Sequence, residues 1–256
     1  MKVDSFYCGG EWTDFAFFGA QHPRAGTRVY IPYFAFLFRS GERHLLFETG
    51  PNAHLVDNPA AWIGQSAELY EVEVDESQLL VNQLREIGVS PDQITDVVVS
   101  HLHYDHAGSI TSFPAATIHV QRAEYDAASH ADPAAGTDYV RAEIDGAVRW
   151  NFLDGDADLC GDGTCLVLST PGHTPGHQSL IVQVESGVAI FVGDAAPYPA
   201  TLADRVLPSV VWNAGLEFAS WQRIAEAAVQ HSAALVFPHD PSFRQTMDFF
   251  APTQTA

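Results

Sequence analysis

The stretch SHLHYDHAGS, at residues 100–109, places three of the chain's 12 histidines and one aspartate within six positions. It directly follows the mostly apolar run ITDVVV, which is typical of a buried strand. A tight loop with this spacing can turn imidazole nitrogens and a carboxylate oxygen toward one point, and such donors suit zinc and similar divalent cations. The stretch therefore predicts a metal site at the end of a strand.

Three further candidate ligands follow other predicted strands, each within a turn rich in glycine or proline. His173 lies in STPGHTPGHQ, Asp194 lies in FVGDAAP and His239 lies in FPHDP. Because layered folds place their sites where strands end, we expect these turns to converge on the first stretch. Together they supply five histidines and two aspartates, enough for two metal ions with a carboxylate between them. The alternative for any one cluster is a network of buried polar groups that satisfy one another.

The remaining sequence alternates predicted strands and helices, which indicates a layered α/β arrangement. Residues 28–38 and 43–48 are predicted to form a strand pair around a turn at Ser40 and Gly41. Asp75 is expected to cap a single helix over ESQLLVNQLREI that stops at Gly88. The length allows one large domain or two small ones with a sizeable core. No low-complexity linker or internal repeat divides the sequence, so we expect residues 1–256 to form one domain.

The charge balance argues against several classes of partner. The chain carries 32 acidic against 12 basic residues, a formal net charge of -20, and nucleic-acid binding depends on cationic side chains. We therefore expect no nucleic-acid partner and a neutral substrate. The three cysteines form no C-x-x-C pair, and no apolar run approaches the ~18 residues of a membrane span. A cytoplasmic protein without membrane contact is the expectation.

The order H-x-H-x-D-H, then His, Asp and His, resembles the metallo-β-lactamase superfamily. The motifs SHLHYDHAGS, TPGHTPGHQSL and FPHDP are most similar to those of its N-acyl-homoserine lactonase branch. The resemblance to the superfamily runs from about Val29 to Pro241. It implies a four-layer αβ/βα sandwich in which two mixed sheets are flanked by helices. The site would then lie along one edge of the two facing sheets.

The resemblance also implies a role for each candidate ligand. Two divalent ions, zinc first among zinc, cobalt, manganese and iron, would share a bridging hydroxide that attacks the ester ring of a small neutral lactone. Asp105 would in addition pass a proton from the attacking water to the leaving oxygen. The implied ligands are His101, His103 and His173 for one ion, Asp105, His106 and His239 for the other, and Asp194 as the bridge between them.

Residues outside the ligand set are candidates for substrate contact. Tyr198 is a candidate for a hydrogen bond to the substrate, because lactonases of this type carry a tyrosine shortly after the bridging aspartate; here it stands one position further on. An equally good interpretation is that Tyr198 only packs. The candidates for the substrate pocket, each with core packing as its alternative, are Tyr104, Phe17, Phe18, Trp62 and Ile63.

Supporting roles are predicted for two more residues. Glu48 stands where many superfamily members have aspartate, and we expect it to keep the supporting contact. His177, in the repeat PGHTPGH, is expected to support a ligand or a loop. The other histidines lack motif context and are predicted to be surface or loop residues: His22, His44, His54, His119, His130 and His231.

Other functions use the same ligands. A pyridoxolactone or γ-butyrolactone type of lactonase stays open, because pocket width decides between these substrates and the sequence does not show it. A glyoxalase II-like thioesterase would need a basic C-terminal region, whereas Arg244 is the only basic residue after His239. A metal-binding scaffold that has lost catalysis is disfavoured, because the chain keeps Asp105 together with all the other ligands. A protein that only binds metal would not need an open bridging position. A homodimer is a further expectation from the resemblance.

Overall fold

The computed structural model describes residues 1–132, 136–146 and 148–242; Arg244 and the end of the predicted domain lie outside them. Two sheets contain the strands of the described chain. The strands are β1 Lys2–Asp14, β2 Arg28–Ser40, β3 Arg43–Phe47, β4 Glu71–Glu73, β5 Asp96–Val98, β6 Thr117–Gln121, β7 Arg149–Leu153, β8 Ala157–Asp158, β9 Cys165–Ser169, β10 Gln178–Val184, β11 Gly187–Phe191 and β12 Ala234–Val236. The helices are α1 His54–Asp57, α2 Pro59–Ile63, α3 Leu80–Glu86, α4 Tyr104–Ala107, α5 Arg122–His130, α6 Arg141–Ile144, α7 Pro199–Asp204 and α8 Ala214–His231.

Both sheets are mixed. The first sheet has the strand order β4-β1-β2-β3-β5-β6-β7, antiparallel from β4 to β3 and parallel from β3 to β7. The second sheet has the order β12-β11-β10-β9-β8, and only β11 and β12 run parallel within it. Strands from distant parts of the sequence therefore end side by side.

The long apolar run of β2 is explained by burial on both of its faces. Phe34, Phe36 and Phe38 point into a core between the two sheets, where they meet Phe191 and other apolar side chains of the second sheet. The residues between them point to the opposite face, where α3 contributes its apolar side chains. A strand with two buried faces has no need for polar alternation.

Helices cover the outer faces of both sheets. Leu80 and Leu84 of α3 pack on the first sheet, and Ile224 and Ala227 of α8 pack on the second. The order of layers is helix, sheet, sheet, helix, which confirms the predicted αβ/βα sandwich. No helix among the described residues is both long and apolar enough to span a lipid bilayer.

Two local expectations were wrong or incomplete. The helix predicted after Asp75 is interrupted: Asp75 caps a 3-10 turn, Glu76–Gln78, and Leu79 is extended before α3 begins. The capping box of that turn is complete within one turn, so the cap does not commit the following residues to the same helix. His119 is not a surface or loop residue, because it lies buried in β6 with its Nε2 atom 2.9 Å from Asp96 Oδ1.

Candidate metal centre

The turns that carry the predicted ligands meet at one edge of the two sheets. The H-x-H-x-D-H stretch follows β5, and the other three turns follow β9, β11 and β12. All seven predicted ligands come together there. In each of three groups the ligand atoms lie within 4.8 Å of one another: His101 with His103 and His173, His101 with His106 and Asp194, and Asp105 with His106 and His239.

Asp194 lies between two groups of imidazoles. Its Oδ1 atom is 3.4 Å from His106 Nε2 and 3.0 Å from His239 Nε2. Its Oδ2 atom is 3.4 Å from His173 Nε2. The 3-10 turn Gly193–Ala195 places this carboxylate directly after β11. One carboxylate therefore offers an oxygen to each group, which is the arrangement a bridging ligand requires.

Buried polar atoms at the centre test whether metal ions fit. His106 Nε2, His239 Nε2 and Asp194 Oδ1 are buried and have no hydrogen-bond partner among the described residues. Buried polar atoms are usually partnered, and these three converge on one position. His101 Nε2 and His173 Nε2, 3.2 Å apart, converge on a second. The donor set, nitrogen with carboxylate oxygen, suits zinc-like divalent ions, so these residues fit the two ions that the sequence predicts.

Hydrogen bonds on the far side of the rings fix the orientation of the imidazoles. His173 Nδ1 donates to the Val210 carbonyl oxygen at 2.9 Å, and His239 Nδ1 donates to the Pro32 carbonyl oxygen at 2.8 Å. An imidazole that donates from Nδ1 presents an Nε2 lone pair to the centre. These rings are therefore oriented as ligands by the backbone around them.

The histidines of the first group are held neutral. Burial lowers the pKa of His101, His103 and His173, and neighbouring histidines lower all three further. Asp194 opposes these shifts without reversing them. The neutral imidazole is the form that binds metal, so these histidines can bind a metal ion without first losing a proton.

The second group is an array of charge pairs. Burial lowers the pKa of His106, but Asp105, Asp194 and Glu48 outweigh burial and raise it. The pKa of His239 is likewise raised, because Asp194 outweighs burial. The neighbouring carboxylates favour the protonated form of these imidazoles. A metal ion that binds here would therefore displace protons from His106 and His239.

Glu48 and His177 occupy the supporting positions expected of them. Glu48 Oε1 lies 3.4 Å from His106 Nδ1, and both carboxylate oxygens accept from the Ser100 N–H at 3.2 Å. His177 binds the Thr170 hydroxyl with Nδ1 at 2.9 Å and accepts from the Ala195 N–H with Nε2 at 3.3 Å. With both nitrogens engaged, His177 ties the turn of Asp194 to the turn of His173.

Two of the predicted pocket residues line a small polar cavity at the centre. The Tyr104 hydroxyl donates to Glu11 Oε2 at 2.5 Å, and the Phe17 ring lies 5.6 Å from that of His239. Ile63 instead belongs to the core behind the first sheet. The half-buried Trp62 donates its indole N–H to Glu143 Oε1 at 2.7 Å.

Phe18 and Tyr198 form an aromatic pair next to the cavity. Their rings are 4.8 Å apart, and both pack in a cluster with Phe15, Val29 and Ile31. Neither belongs to the lining of the polar cavity. The Tyr198 hydroxyl therefore reaches the substrate only if the substrate extends toward this cluster.

Sequence analysis missed three polar residues that line the cavity, Glu11, Tyr70 and Asp138. Glu11 is almost fully buried in β1 and accepts hydrogen bonds from Tyr33 and Tyr104. Burial raises its pKa, and Asp105 raises it further. No motif marks these residues. The only signal was for Glu11, a charged residue within the predominantly uncharged run of β1 from Ser5 to Thr13.

An apolar groove of about 380 Å³ adjoins the centre and shares His103 and His173 with it. It was also missed, because its walls come from four separate segments. Trp212 stands at its rim with 57% of its surface exposed. The other lining residues are Ala127, Ala131, Thr137, Tyr139, Thr174, Pro175, Val210 and Val211.

Comparison with known proteins places the chain among relatives with this architecture. Residues 31–236 match the family model of the metallo-beta-lactamase superfamily. The chain is 32% identical over 237 residues to the N-acyl homoserine lactonase AttM of Rhizobium radiobacter, with 89% of each chain covered. It is 30% identical over 216 residues to the N-acyl homoserine lactonase AiiA of Bacillus thuringiensis subsp. kurstaki, with 84% of each covered.

A solved structure agrees with these matches. An N-acyl homoserine lactone hydrolase, with N-hexanoyl-L-homoserine bound at its catalytic metal center, superposes with a TM-score of 0.86 at 26% identity. The alignment covers 96% of this chain and 95% of the other. The ligand order, the two mixed sheets and these matches together show that the chain belongs to the metallo-β-lactamase superfamily, in the branch of the N-acyl homoserine lactonases.

Proposed function

We propose that this protein hydrolyses the ester ring of a neutral N-acyl homoserine lactone at a centre of two divalent metal ions. The observation that carries the proposal is Asp194, which presents one oxygen to each of two imidazole groups beside an apolar groove. Relatives of similar length that are named lactonases support it. Membership of the superfamily makes the protein a metal-dependent hydrolase, and the lactone is the further step.

The proposed first position is held by His101, His103 and His173, and the second by Asp105, His106 and His239, with Asp194 shared. We propose zinc for both positions, which elemental analysis of the purified protein would check. When bound, two such ions supply Lewis-acid chemistry: they polarise an ester carbonyl and make water a better nucleophile near neutral pH.

Asp105 is the proposed carrier of the proton. Its Oδ2 atom faces His106 at 3.1 Å and His239 at 3.7 Å, while the residue also lines the cavity. The other oxygen, Oδ1, is then available to take a proton from the attacking water. Returning that proton to the alkoxide of the opened ring completes a general acid–base cycle.

The surroundings of the centre suit a lactone with an acyl chain. The polar cavity places carboxyl and hydroxyl groups next to the proposed ligands, whereas the groove shared by His103 and His173 is apolar and suits hydrocarbon. Burial of an alkyl chain contributes about 0.8 kcal/mol per methylene. Glu11 and Asp138 line the cavity with carboxyl groups, so neither offers a cationic partner to an anionic substrate.

A substrate panel tests the proposal. N-acyl homoserine lactones of increasing acyl length, γ-butyrolactone and a glutathione thioester would be compared in a pH-indicator assay, which records the acid released. We expect kcat/KM to rise with acyl length until the groove is filled, and the unsubstituted lactone and the thioester to be poor substrates. Faster turnover of the thioester than of any lactone would overturn the proposal, and metal-free protein is the control.

A further inference from the structure

We propose that Glu124 is a positioning residue that sets the affinity of the first metal position by holding two ligand turns together. Glu124 is fully buried near the start of α5. It touches none of the reacting groups, so it would act through the ligands. The inference rests on the proposed function only in assuming that the centre holds two ions.

The carboxylate of Glu124 joins segments that are far apart in sequence. Its Oε1 atom accepts from the Leu102 N–H and from the Tyr139 hydroxyl, both at 3.0 Å. Its Oε2 atom accepts from the Gly176 N–H at 3.1 Å. Leu102 stands between His101 and His103, and Gly176 follows His173 in the next ligand turn. One carboxylate thus links the backbones that carry all three ligands of the first position.

Tyr139 extends this connection to a ligand ring. Its ring lies 4.8 Å from that of His103 in an edge-to-face contact. The hydrogen bond from its hydroxyl to Glu124 holds the ring in that place. Glu124 therefore fixes both the backbone and the packing of this part of the centre.

Sterics explain why the second PGH of PGHTPGH has a glycine, Gly176, at this contact. A Cβ atom on Gly176 would lie 2.2 Å from the Glu124 backbone nitrogen and 2.6 Å from its Cβ atom. Only a glycine lets the turn approach α5 closely enough for the N–H to reach the carboxylate. The close approach and the hydrogen bond are separate observations that point to the same role.

The second metal position has a different support. Glu48 contacts His106 and the Ser100 N–H, whereas the backbone N–H groups that Glu124 binds belong to the turns of the first position. Weakening Glu124 should therefore affect the two positions unequally. Supporting contacts of this kind typically change metal affinity by about 10–100-fold.

The test is a Co²⁺ titration of metal-free wild type and the variant Glu124→Gln, followed by d–d absorption and by elemental analysis. Glutamine keeps the shape but replaces one acceptor oxygen by a donor, so one of the ligand turns is released. We expect wild type to take two equivalents, and the variant to bind one normally and the other about 10–100-fold more weakly. Glu143→Gln is the matched control: it is another buried acid, bonded to the Trp62 indole, and we expect it to load as wild type.

A second variant protects the test against a failure to fold. Gly176→Ala leaves the carboxylate intact but forces the turn away from α5, and we expect the same unequal loss. Normal loading of both variants, or equal weakening of both equivalents, would overturn the role of Glu124. Wild type that binds no metal would instead refute the proposed function, so the two failures are distinguishable.

Discussion

The space between the two sheets and the edge where their strands end differ in what they bury. Between the sheets the packed side chains are almost all apolar, with Phe36 and Phe38 both in contact with Phe191. At the edge the buried residues include charged groups such as Glu48 and Asp194. Burying charge is unfavourable unless it is paired or bound to metal. The comparison teaches that burial of the apolar interior stabilises the fold. Burial of the charged groups at the edge lowers that stability but creates a binding site.

The largest expected effect comes from removing the shared ligand at the edge. We expect Asp194→Ala to lower kcat/KM by roughly a thousandfold or more, since metal ions contribute several kcal/mol to such a transition state. The bound metal, measured by elemental analysis, should fall below two equivalents. The control is Asp92→Asn, an exposed carboxylate in the turn Pro91–Gln93. Lost activity with two ions still bound would contradict the bridging role.

The apolar interior should respond in stability and not in metal content. We expect Phe38→Ala to lower the free energy of unfolding by about 3–5 kcal/mol, because it leaves a cavity in a packed core. Phe38 is fully buried, and its ring lies 5.1 Å from that of Phe191. Denaturant unfolding of the metal-free protein measures the loss. A Phe38→Ala protein that loses metal without losing stability would break the division between the two regions.

Glu143, a buried acid near the edge, should make the free energy of unfolding depend on pH. Burial raises the pKa of Glu143 to about 8, above its value in the unfolded chain. Between these two pKa values the unfolded chain releases a proton that the folded protein keeps, so rising pH favours unfolding. We expect Glu143→Gln to gain roughly 2–4 kcal/mol in stability relative to wild type between about pH 5 and pH 8.

The measurement is a series of urea midpoints for both proteins across that range. The amide oxygen that Glu143→Gln introduces can still accept the indole N–H of Trp62, so the hydrogen bond is retained. A difference in stability that does not change with pH would show that Glu143 is ionised in the folded state.

The smallest effect is expected at the rim of the site. Tyr198→Phe removes one hydroxyl and keeps the packing of its ring on Phe18. If the hydroxyl binds the substrate, kcat/KM should fall by up to about tenfold, the value of one hydrogen bond. Unchanged kinetics with the preferred lactone would assign Tyr198 to packing alone.

The features that could be predicted from the sequence are those that depend on residues close together in the chain. Strand ends next to clustered histidines located the edge, and the apolar run of β2 located the interior. The role of Glu124 could not be predicted, because its hydrogen bonds join residues 22 and 52 positions apart. The break at Leu79 was missed since a capping box looks the same before a 3-10 turn and before a long helix. His119 was misplaced because its partner, Asp96, lies on the neighbouring strand.

The turns at the edge belong to both sheets: the H-x-H-x-D-H stretch follows a strand of the first, and the other ligands follow strands of the second. Cations bound there would fasten one half of the sandwich to the other. Ligands that bind only the folded state stabilise it by mass action. A chelated sample should consequently be digested by a protease at a lower temperature than the loaded protein, and adding back the ion should restore its resistance.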